Sequence, residues 1–495
     1  MTAVLERDVQ SGRQGRGRRG VLADTPNQLK LLTAALVVLG LLLGLVSALG
    51  LLRDSSSVDN LKSRTTEVSA TSDLYYRLND MDAQAANLLL VGYHPVAGFQ
   101  VPASVNAQAS YKTYNNDRSA ADADLEVIAE NPRLNAEASS LLDTLGTYEA
   151  DIADSFYIDE QSPSQKPATP PAAALSEYEQ ASNLLHDSML RAAQTITNQD
   201  SSAVDGSYSA DHSAISAYGY AVLGVALLTV LALFLGNRYH ARKFRRRVSW
   251  LAGGAVVALV VGLIGLTTQS SEANHLHVAK QEAYDSIYAL DRAQAVSDDA
   301  NADESRWLLE DRSSTLQSSY FAEASEVGGV ASVSATQAAA DPSSYYSALS
   351  SAVGQLRVDG AANTVSGVAI DGFLGSELHN VTFPGEAQAA YTATQDYNTY
   401  VQDDGKIRAD ADNGNLAGAV SIDIGLSTGQ SNYDFNQYMA ALRQVIGINT
   451  QYFDAAVSAG QSGLGVTAWA ELVIVELILL AFVTQAGYMR LREYR

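Results

Sequence analysis

The stretch LGNRYHARKFRRRVSW, residues 235–250, decides the fold of this chain, because it places six cations between two strongly apolar runs. The cations are Arg238, Arg242, Lys243, Arg245, Arg246 and Arg247. The whole sequence of 495 residues has a formal net charge of -23, so this concentration runs against the overall composition. Membrane proteins keep an excess of Lys and Arg in their cytoplasmic loops, where the cations also attract anionic lipids. We therefore interpret residues 237–249 as a cytoplasmic loop between two membrane spans.

Four apolar runs are long enough to cross a membrane as helices: residues 31–52, 217–236, 250–268 and 466–486. About 20 apolar residues cover a bilayer core of about 30 Å. None of the four runs contains Lys or Arg. Four spans place the basic tail 1–30, the basic loop and the short tail 487–495 on one side. The sequence therefore predicts a multi-pass cell-membrane protein with cytoplasmic termini, and the composition of the first tail is typical of disorder.

Two large segments, residues 53–216 and 269–465, are predicted to lie outside the cell. They hold most of the acidic residues of the chain, and this surface would repel nucleic acid. The sequence has no cysteine, so no disulfide can stabilise these segments. Packing alone must do so, which favours long helical bundles.

Helical periodicity is strong in both segments. Apolar residues recur at alternating steps of four and three in the first segment, at Leu74, Leu78, Met81, Ala85 and Leu88. The pattern predicts four antiparallel helices there, two of them continuous with the spans. The second segment repeats this plan with insertions, and we assign no structure to residues 360–383. The predicted fold is an all-α membrane protein with four transmembrane helices continuous with two helical bundles, in a duplicated arrangement.

Few residues indicate chemistry, and the sequence contains no phosphate-binding loop, nucleophile elbow or paired zinc ligands. In the stretch DANADESRWLLE, residues 299–310, the oxygen-bearing side chains of Asp299, Asn301, Asp303 and Glu310 have the spacing of a calcium-binding EF-hand loop. Position six of that loop requires glycine, but Glu304 stands there. The surrounding pattern is helical, so we expect a solvated helix face rather than a metal site.

Two carboxylates, Glu471 and Glu476, lie within the fourth apolar run. Such groups are costly in a membrane and are usually functional. Glu471 is near the outer boundary and can reach water. We expect Glu476 to be uncharged and to hydrogen-bond a polar group such as Thr229, or to contact a span of a partner. Gly40 and Gly44 have the spacing of a helix-packing pair in the first span.

The predicted cytoplasmic parts are too small to form an enzyme, and nothing indicates a cofactor. Most of the chain lies in bundles joined to spans, which is typical of a sensor. A ligand that favours one bundle arrangement would displace the spans, and another protein would read that displacement at the basic loop.

Two stretches carry a family resemblance: LYYRLNDMDAQAANLLLVG, residues 74–92, and YEQASNLLHDSMLRAAQTI, residues 178–196. They resemble the four-helix-bundle sensor domains of chemoreceptors and histidine kinases. The layout of two outer domains, four spans and almost no cytoplasmic domain is similar to actinobacterial membrane proteins of the GlnX type. That resemblance implies amino-acid sensing, with an external solute-binding lipoprotein and a soluble Ser/Thr kinase, protein kinase G, as partners.

Other functions stay open on this reasoning. One alternative is a structural or assembly scaffold of the cell envelope, and another is a component of an export complex. The sequence also leaves open the identity of the ligand, the outer domain that binds it and a homodimeric state.

Overall fold

The computed structural model describes residues 25–94, 96, 98–162, 166–245 and 247–492. The first half of the chain contains α1 (Thr25–Val91), α2 (Ala107–Ala129), α3 (Asn135–Gln161), α4 (Ala172–Leu184) and α5 (Leu190–Phe244). A π-helical segment, Leu185–Met189, joins α4 to α5 without interruption. Most of the predicted tail 1–30, the end of the tail 487–495 and Arg246 lie outside the described residues.

The second half is also helical. It contains α6 (Ser249–His277), a π-helical segment (Val278–Tyr284), α7 (Asp285–Leu309), α8 (Ser314–Gly328), α9 (Ala335–Ala340), α10 (Pro342–Gln355), β1 (Arg357–Asp359), β2 (Thr364–Ser366), α11 (Gly372–Asn380), α12 (Glu386–Asp412), α13 (Leu416–Asp423), α14 (Ser431–Gly463) and α15 (Val466–Arg492). Strands β1 and β2 form an antiparallel hairpin, the one sheet in the part of the chain that is described. The predicted all-α membrane fold is confirmed.

One compact unit, the span unit, comprises the described residues of Met1–Ser55, Ser213–Ala273 and Ser462–Arg495. Its four helices are long and apolar enough to cross a membrane. Large apolar side chains point outward from them, which suits contact with lipid rather than water; examples are Leu45, Leu228, Val256 and Leu477. The interior of the unit is also apolar and includes Leu43, Val222, Leu233, Ala258 and Leu479.

Three of the spans are parts of much longer helices. Helix α1 has 67 residues, the helix through α4 and α5 has 73, and the helix through α6 and α7 has 61. The fourth span differs from the prediction, because a turn at Leu464 and Gly465 separates α14 from α15. Gly460, Gly463 and Gly465 lower the helix propensity at this place, which explains the interruption.

The other compact unit, the head unit, comprises Ser56–His212 and Asn274–Gln461. The predicted stripe from Leu74 to Leu88 is confirmed as core, because each of its five residues is at most 1% exposed. That core is shared, since Leu74 and Leu145 of the first segment belong to the same apolar cluster as Trp307 and Ile407 of the second. The two large segments therefore pack as one unit rather than as separate bundles.

A second apolar cluster lies entirely in the second large segment and is rich in aromatic side chains, among them Tyr320, Phe321, Tyr345, Tyr397 and Tyr438. Residues 360–383, which the sequence left unassigned, contribute the end of the hairpin and helix α11 beside this cluster. Gly372 opens α11 with a φ of +75°, a conformation that favours glycine.

Candidate functional site

Helix α7 carries the polar core of the head unit. Every residue from Ala295 to Leu309 is buried. A helix buried on all sides is normally apolar. This one carries five ionisable side chains, Asp298, Asp299, Asp303, Glu304 and Arg306. Buried charges need partners, so the contacts of these side chains define the candidate site.

This arrangement corrects one sequence-based expectation. Residues 299–310 were expected to form a helix face in water. The helix is confirmed, since α7 extends to Leu309, and this segment therefore does not form an EF-hand loop. The expected exposure is wrong, because Asp299, Asn301 and Asp303 are only 7%, 5% and 1% exposed. The residues that cover them come from elements distant in sequence, which periodicity alone does not reveal.

Arg306 joins α7 to the first large segment. Its Nη1 donates a hydrogen bond to Oδ1 of Asp303 at 2.7 Å and lies 3.0 Å from Nε2 of His186. Its Nε lies 4.0 Å from Oδ2 of Asp82. His186 belongs to the π-helical segment 185–189 and Asp82 to α1. One guanidinium therefore connects three helical elements, and π-helical turns often occur at such functional positions.

His186 is the second cation of this network. Nε2 of the imidazole lies 3.0 Å from Oδ1 of Asp299, and Nδ1 lies 2.8 Å from the carbonyl oxygen of Ser182. Burial and the nearby Arg306 lower the pKa of His186, but Asp299 and then Asp82 outweigh them and raise that pKa to about 9. The raised pKa favours a proton on Nε2 that is donated to Asp299, and the contact with Nη1 of Arg306 is then a close approach of two donors rather than a hydrogen bond.

Asp82 receives three further hydrogen bonds. It is fully buried, and its carboxylate accepts from the hydroxyls of Ser182 at 2.7 Å, Tyr178 at 3.2 Å and Tyr148 at 3.3 Å. These donors lie on α3 and α4. Tyr75 of α1 likewise donates to Oδ2 of Asp299 at 3.2 Å. The network therefore fastens α1, α3 and α4 of the first segment to α7 of the second.

Three side chains of this network could coordinate a metal ion by their spacing. One ligand atom each of His186, Asp299 and Asp303 lies within 4.8 Å of the others, as metal coordination requires. However, Nη1 of Arg306 already contacts both Nε2 of His186 and Oδ1 of Asp303. A fixed positive charge at this position opposes a second cation. The residues fit an internal ion network better than a metal centre.

Sequence reasoning missed His186, Arg306 and Asp82 as partners. The available signal was weak: His186 stands next to Leu185 on a helix whose apolar stripe is buried, and Asp82 follows Met81 of the predicted seam. Nothing in a single sequence indicates that these positions meet a residue more than 100 positions away.

The span unit places Glu476 between the first and fourth spans. A Cβ on Gly44 would lie 3.0 Å from Cδ of Glu476, and a Cβ on Gly40 would lie 3.2 Å from a methyl group of Leu480. The carboxyl group of Glu476 therefore packs against Gly40 and Gly44, the pair predicted to mediate helix packing. The expected hydrogen bond to Thr229 is not formed among the described residues, where the hydroxyl of Thr229 donates to the carbonyl oxygen of Val225 at 2.8 Å. Within the described residues, Oε1 of Glu476 has no hydrogen-bond partner.

Glu471 is exposed and lines a cavity of about 300 Å³ in the same unit. The polar groups of that cavity come from Ser47, Thr268 and Gln269, and most of its remaining lining is aliphatic. The amide of Gln269 also donates to Oδ2 of Asp54 at 2.5 Å. The structure thus brings Glu471 to polar neighbours, and it does not bring it to Glu476.

The basic loop reverses the chain between α5, which ends at Phe244, and α6, which begins at Ser249. Oδ1 of Asn237 accepts a hydrogen bond from the backbone N–H of Val248 at 2.9 Å and closes this turn. Lys243 donates to Oε1 of Gln28 at 2.7 Å, so it links α5 to the start of α1. The other described cations of the loop are exposed: Arg238, Arg242, Arg245 and Arg247.

The fold and the four apolar helices define the class of the protein, a helical multi-pass membrane protein with a large head unit. The first large segment is more particular. Residues 57–209 match the model of a family described as an actinobacterial sensor domain. The match covers under a third of the chain and includes Asp82 and His186. No curated protein and no solved structure matches the chain significantly. Together the match and the spans indicate an actinobacterial membrane sensor.

Proposed function

We propose that the protein is a transmembrane sensor that couples an external signal to a cytoplasmic Ser/Thr kinase of the protein kinase G type. The signal is a small ligand such as an amino acid, or a solute-binding lipoprotein that carries it. One observation supports this proposal above all. Helix α1, helix α5 and the helix through α6 and α7 each contain both head residues and span residues without a break.

The ion network supplies a means of coupling. A ligand shifts a conformational equilibrium only if it contacts the two states differently. Arg306, His186 and Asp82 tie the matched sensor segment to α7, so a displacement of α1 or α4 changes the contacts of α7 as well. Helix α1 contains the first span, and the helix through α6 and α7 contains the third. The displacement therefore reaches spans in both halves of the chain.

The proposed docking surface for the kinase is the basic loop, with Arg238, Arg242, Lys243, Arg245, Arg246 and Arg247. All five of these side chains that the structure describes are exposed, which suits contact with an acidic partner. Lys243 is bound to Gln28 and has a structural role beside any docking role.

The decisive experiment replaces Arg245, Arg246 and Arg247 by Gln in the full chain and measures the signal-dependent activity of the kinase. We expect the kinase response to be lost while the protein stays inserted. The matched control replaces Lys30 and Arg492 by Gln, which removes exposed cations from the other two predicted cytoplasmic segments. A triple variant that keeps the full response contradicts docking at this loop.

Topology is measured in the same membranes. The chain has no cysteine, so single cysteines introduced at Thr113 and Ser249 report accessibility without background. The proposal requires Thr113 to react with an impermeant reagent from outside and Ser249 to be protected. Affinity purification of the wild-type protein should enrich the lipoprotein and the kinase. Enrichment of wall-synthesis or export machinery instead would favour an envelope scaffold or an export component.

A further inference from the structure

The head unit contains a cavity that the ion network does not use. It has a volume of about 240 Å³ and is lined by residues of both large segments. The first segment contributes Tyr76 and Asp80 of α1 together with residues of α2. The second contributes Asp298 and Asn301 of α7 and residues at the start of α14, including Phe435. A molecule in this cavity would therefore touch both segments at once.

The charge of the cavity wall is not balanced. Asp298 is 2% exposed, and its Oδ2 has no hydrogen-bond partner among the residues that the structure describes. Asp80 accepts a hydrogen bond from the neutral amide of Gln84 at 2.9 Å. Two guanidinium groups lie beside the wall and both have partners: Arg77 is bound to Asp117 at 2.9 Å, and Arg443 donates to the hydroxyl of Tyr76 at 3.4 Å. The carboxyl groups of Asp298, Asp80 and Asp117 thus outnumber these two cations, and Oδ2 of Asp298 lacks a hydrogen-bond partner within the ranges that the structure describes.

The surroundings of Asp298 disfavour its ionised form. Burial raises the pKa of Asp298, and the carboxylates of Asp80, Asp117 and Asp299 raise it further, while Arg77 lowers it. Binding of a cation would shift Asp298 toward that form, because an opposite charge favours the ionised carboxylate.

The rest of the wall selects the kind of cation. The guanidinium of Arg77 lies over the ring of Tyr76, 5.0 Å from its centroid, so the surface left for a ligand comes from the ring of Phe435 and the flexible apolar side chain of Met439. The side-chain amides of Asn301 and Asn432 lie 3.4 Å apart and add oxygen acceptors. In the described part of the chain, the one group of three side chains close enough to coordinate a metal ion is His186, Asp299 and Asp303, outside this cavity. A carboxylate beside the ring of Phe435 and the apolar side chain of Met439 therefore favours an organic cation.

We propose that this cavity binds a small organic ammonium ion, with its charged nitrogen at Asp298 and Asp80 and its hydrocarbon part against Phe435 and Met439. As the input site of a sensor the cavity rests on the proposed function, whereas the binding itself does not. Because the wall is shared between both segments, an occupied cavity stabilises one arrangement of α1 relative to α7.

The test compares three probes with the same four-carbon chain: n-butylammonium, 1-butanol and butyrate. Binding to the full-length protein in detergent is measured by calorimetry and by the shift in melting temperature. We expect binding of n-butylammonium alone. The substitution D298N should weaken it roughly tenfold to a hundredfold, since a hydrogen bond to a charged group is lost. The control D122N changes an exposed carboxylate of α2 and should leave the dissociation constant unchanged.

A second variant keeps the test independent of folding. Asp80 is only partly buried, so D80N should fold as the wild type does and still bind the cation more weakly. Equal binding of 1-butanol, or n-butylammonium binding unaltered in both variants, overturns the proposal, as does a failure of n-butylammonium to bind at millimolar concentration. Signalling is scored separately. Binding of n-butylammonium without any kinase response supports the ammonium site and contradicts the sensor function. A kinase response to the lipoprotein without binding of n-butylammonium supports the sensor function and contradicts the ammonium site.

Discussion

Arg306 is the residue on which the head unit's polar core depends. Its side chain is only 8% exposed, and its partners Asp303 and Asp82 are still less exposed. A buried ion pair adds little net stability compared with an apolar pair, because both charges lose their hydration. Removing one member is different, since the remaining charges are left buried and uncompensated. Replacing Arg306 should therefore lower the free energy of unfolding by more than the net contribution of its ion pairs.

We predict that Arg306→Ala lowers the free energy of unfolding of the head unit by about 3–5 kcal/mol. Thermal and denaturant unfolding of the full chain, followed by circular dichroism, measures this change. Arg191→Ala is the matched control, because Arg191 pairs with Asp187 one helical turn away and both side chains are about two-thirds exposed. That control should change stability by less than about 0.5 kcal/mol. Equal effects of the two substitutions would show that Arg306 is not a buried partner.

Gly44 is the residue that fixes the contact between the first and fourth spans. An added side chain there meets Glu476, so Gly44→Leu should push the two spans apart and cost about 1–3 kcal/mol. Crosslinking of single cysteines placed on the two spans reports the separation, and melting in detergent reports the stability.

The control for Gly44 is Gly224→Leu in the second span. A Cβ on Gly224 would have no described atom within 4 Å, so a larger side chain there extends into the surroundings of the span unit. Unchanged crosslinking in Gly224→Leu and reduced crosslinking in Gly44→Leu are the expected pair of results. If Gly44→Leu crosslinks as the wild type does, the glycine pair does not determine this packing.

At the level of secondary structure, the sequence predicts elements whose signal is local. The stripe from Leu74 to Leu88, the start of α10 at Pro342 and the end of α8 at Gly328 follow from periodicity, proline and glycine. The hairpin and α11 within residues 357–380 could not be predicted, because they are short and depend on packing beside the aromatic cluster. The interruption at Leu464 and Gly465 had a signal in three nearby glycines, and the apolar periodicity on either side concealed it.

The candidate site was predictable only in part, for a physical reason. The sequence marks Asp299 and Asp303 as unusual by their spacing, but it cannot give their environment. Their burial follows from His186 and Asp82, whose contacts join elements more than 100 residues apart. Periodicity shows which face of a helix is apolar, and the other face is normally assumed to be exposed. In α7 the polar face is buried as well, so periodicity gives the wrong environment.

Three helices continue without a break from the head unit into a span, whereas a turn separates α14 from the fourth span. Insertions at these places should therefore affect signalling differently. Two glycines inserted after Ser55 in α1 rotate the following residues by roughly 200° and weaken the helix. If α1 transmits the signal, the kinase response should disappear while ligand binding by the head unit is retained. The same insertion after Leu464 extends an existing turn and should preserve the response. A response that survives the insertion in α1 contradicts transmission through this helix.

For the molecule as a whole, some of the many acidic residues are buried in the head unit, where their raised pKa values favour the protonated carboxyl group. Burial raises the pKa of Asp423 to about 7, with Asp404 adding to the shift against a hydrogen bond from Ser305. Burial together with Glu386 raises the pKa of Glu377 to about 8. The unfolded chain releases these protons near pH 4, so between pH 4 and pH 8 the folded state binds more protons than the unfolded state.

Stability of the head unit should therefore fall as the pH rises. The carboxyl groups lose their contribution as the pH passes their folded pKa values near 7 and 8, and His186 adds to the loss as the pH rises through about 9. We expect the melting temperature of the full chain to be at least about 5 °C higher at pH 5 than at pH 9. Asp423→Asn should flatten this dependence, because it removes one raised pKa, whereas Asp122→Asn should not. A melting temperature that rises from pH 5 to pH 9 would mean that these carboxyl groups are ionised and solvated in the folded protein, and the buried polar core described above would then be wrong.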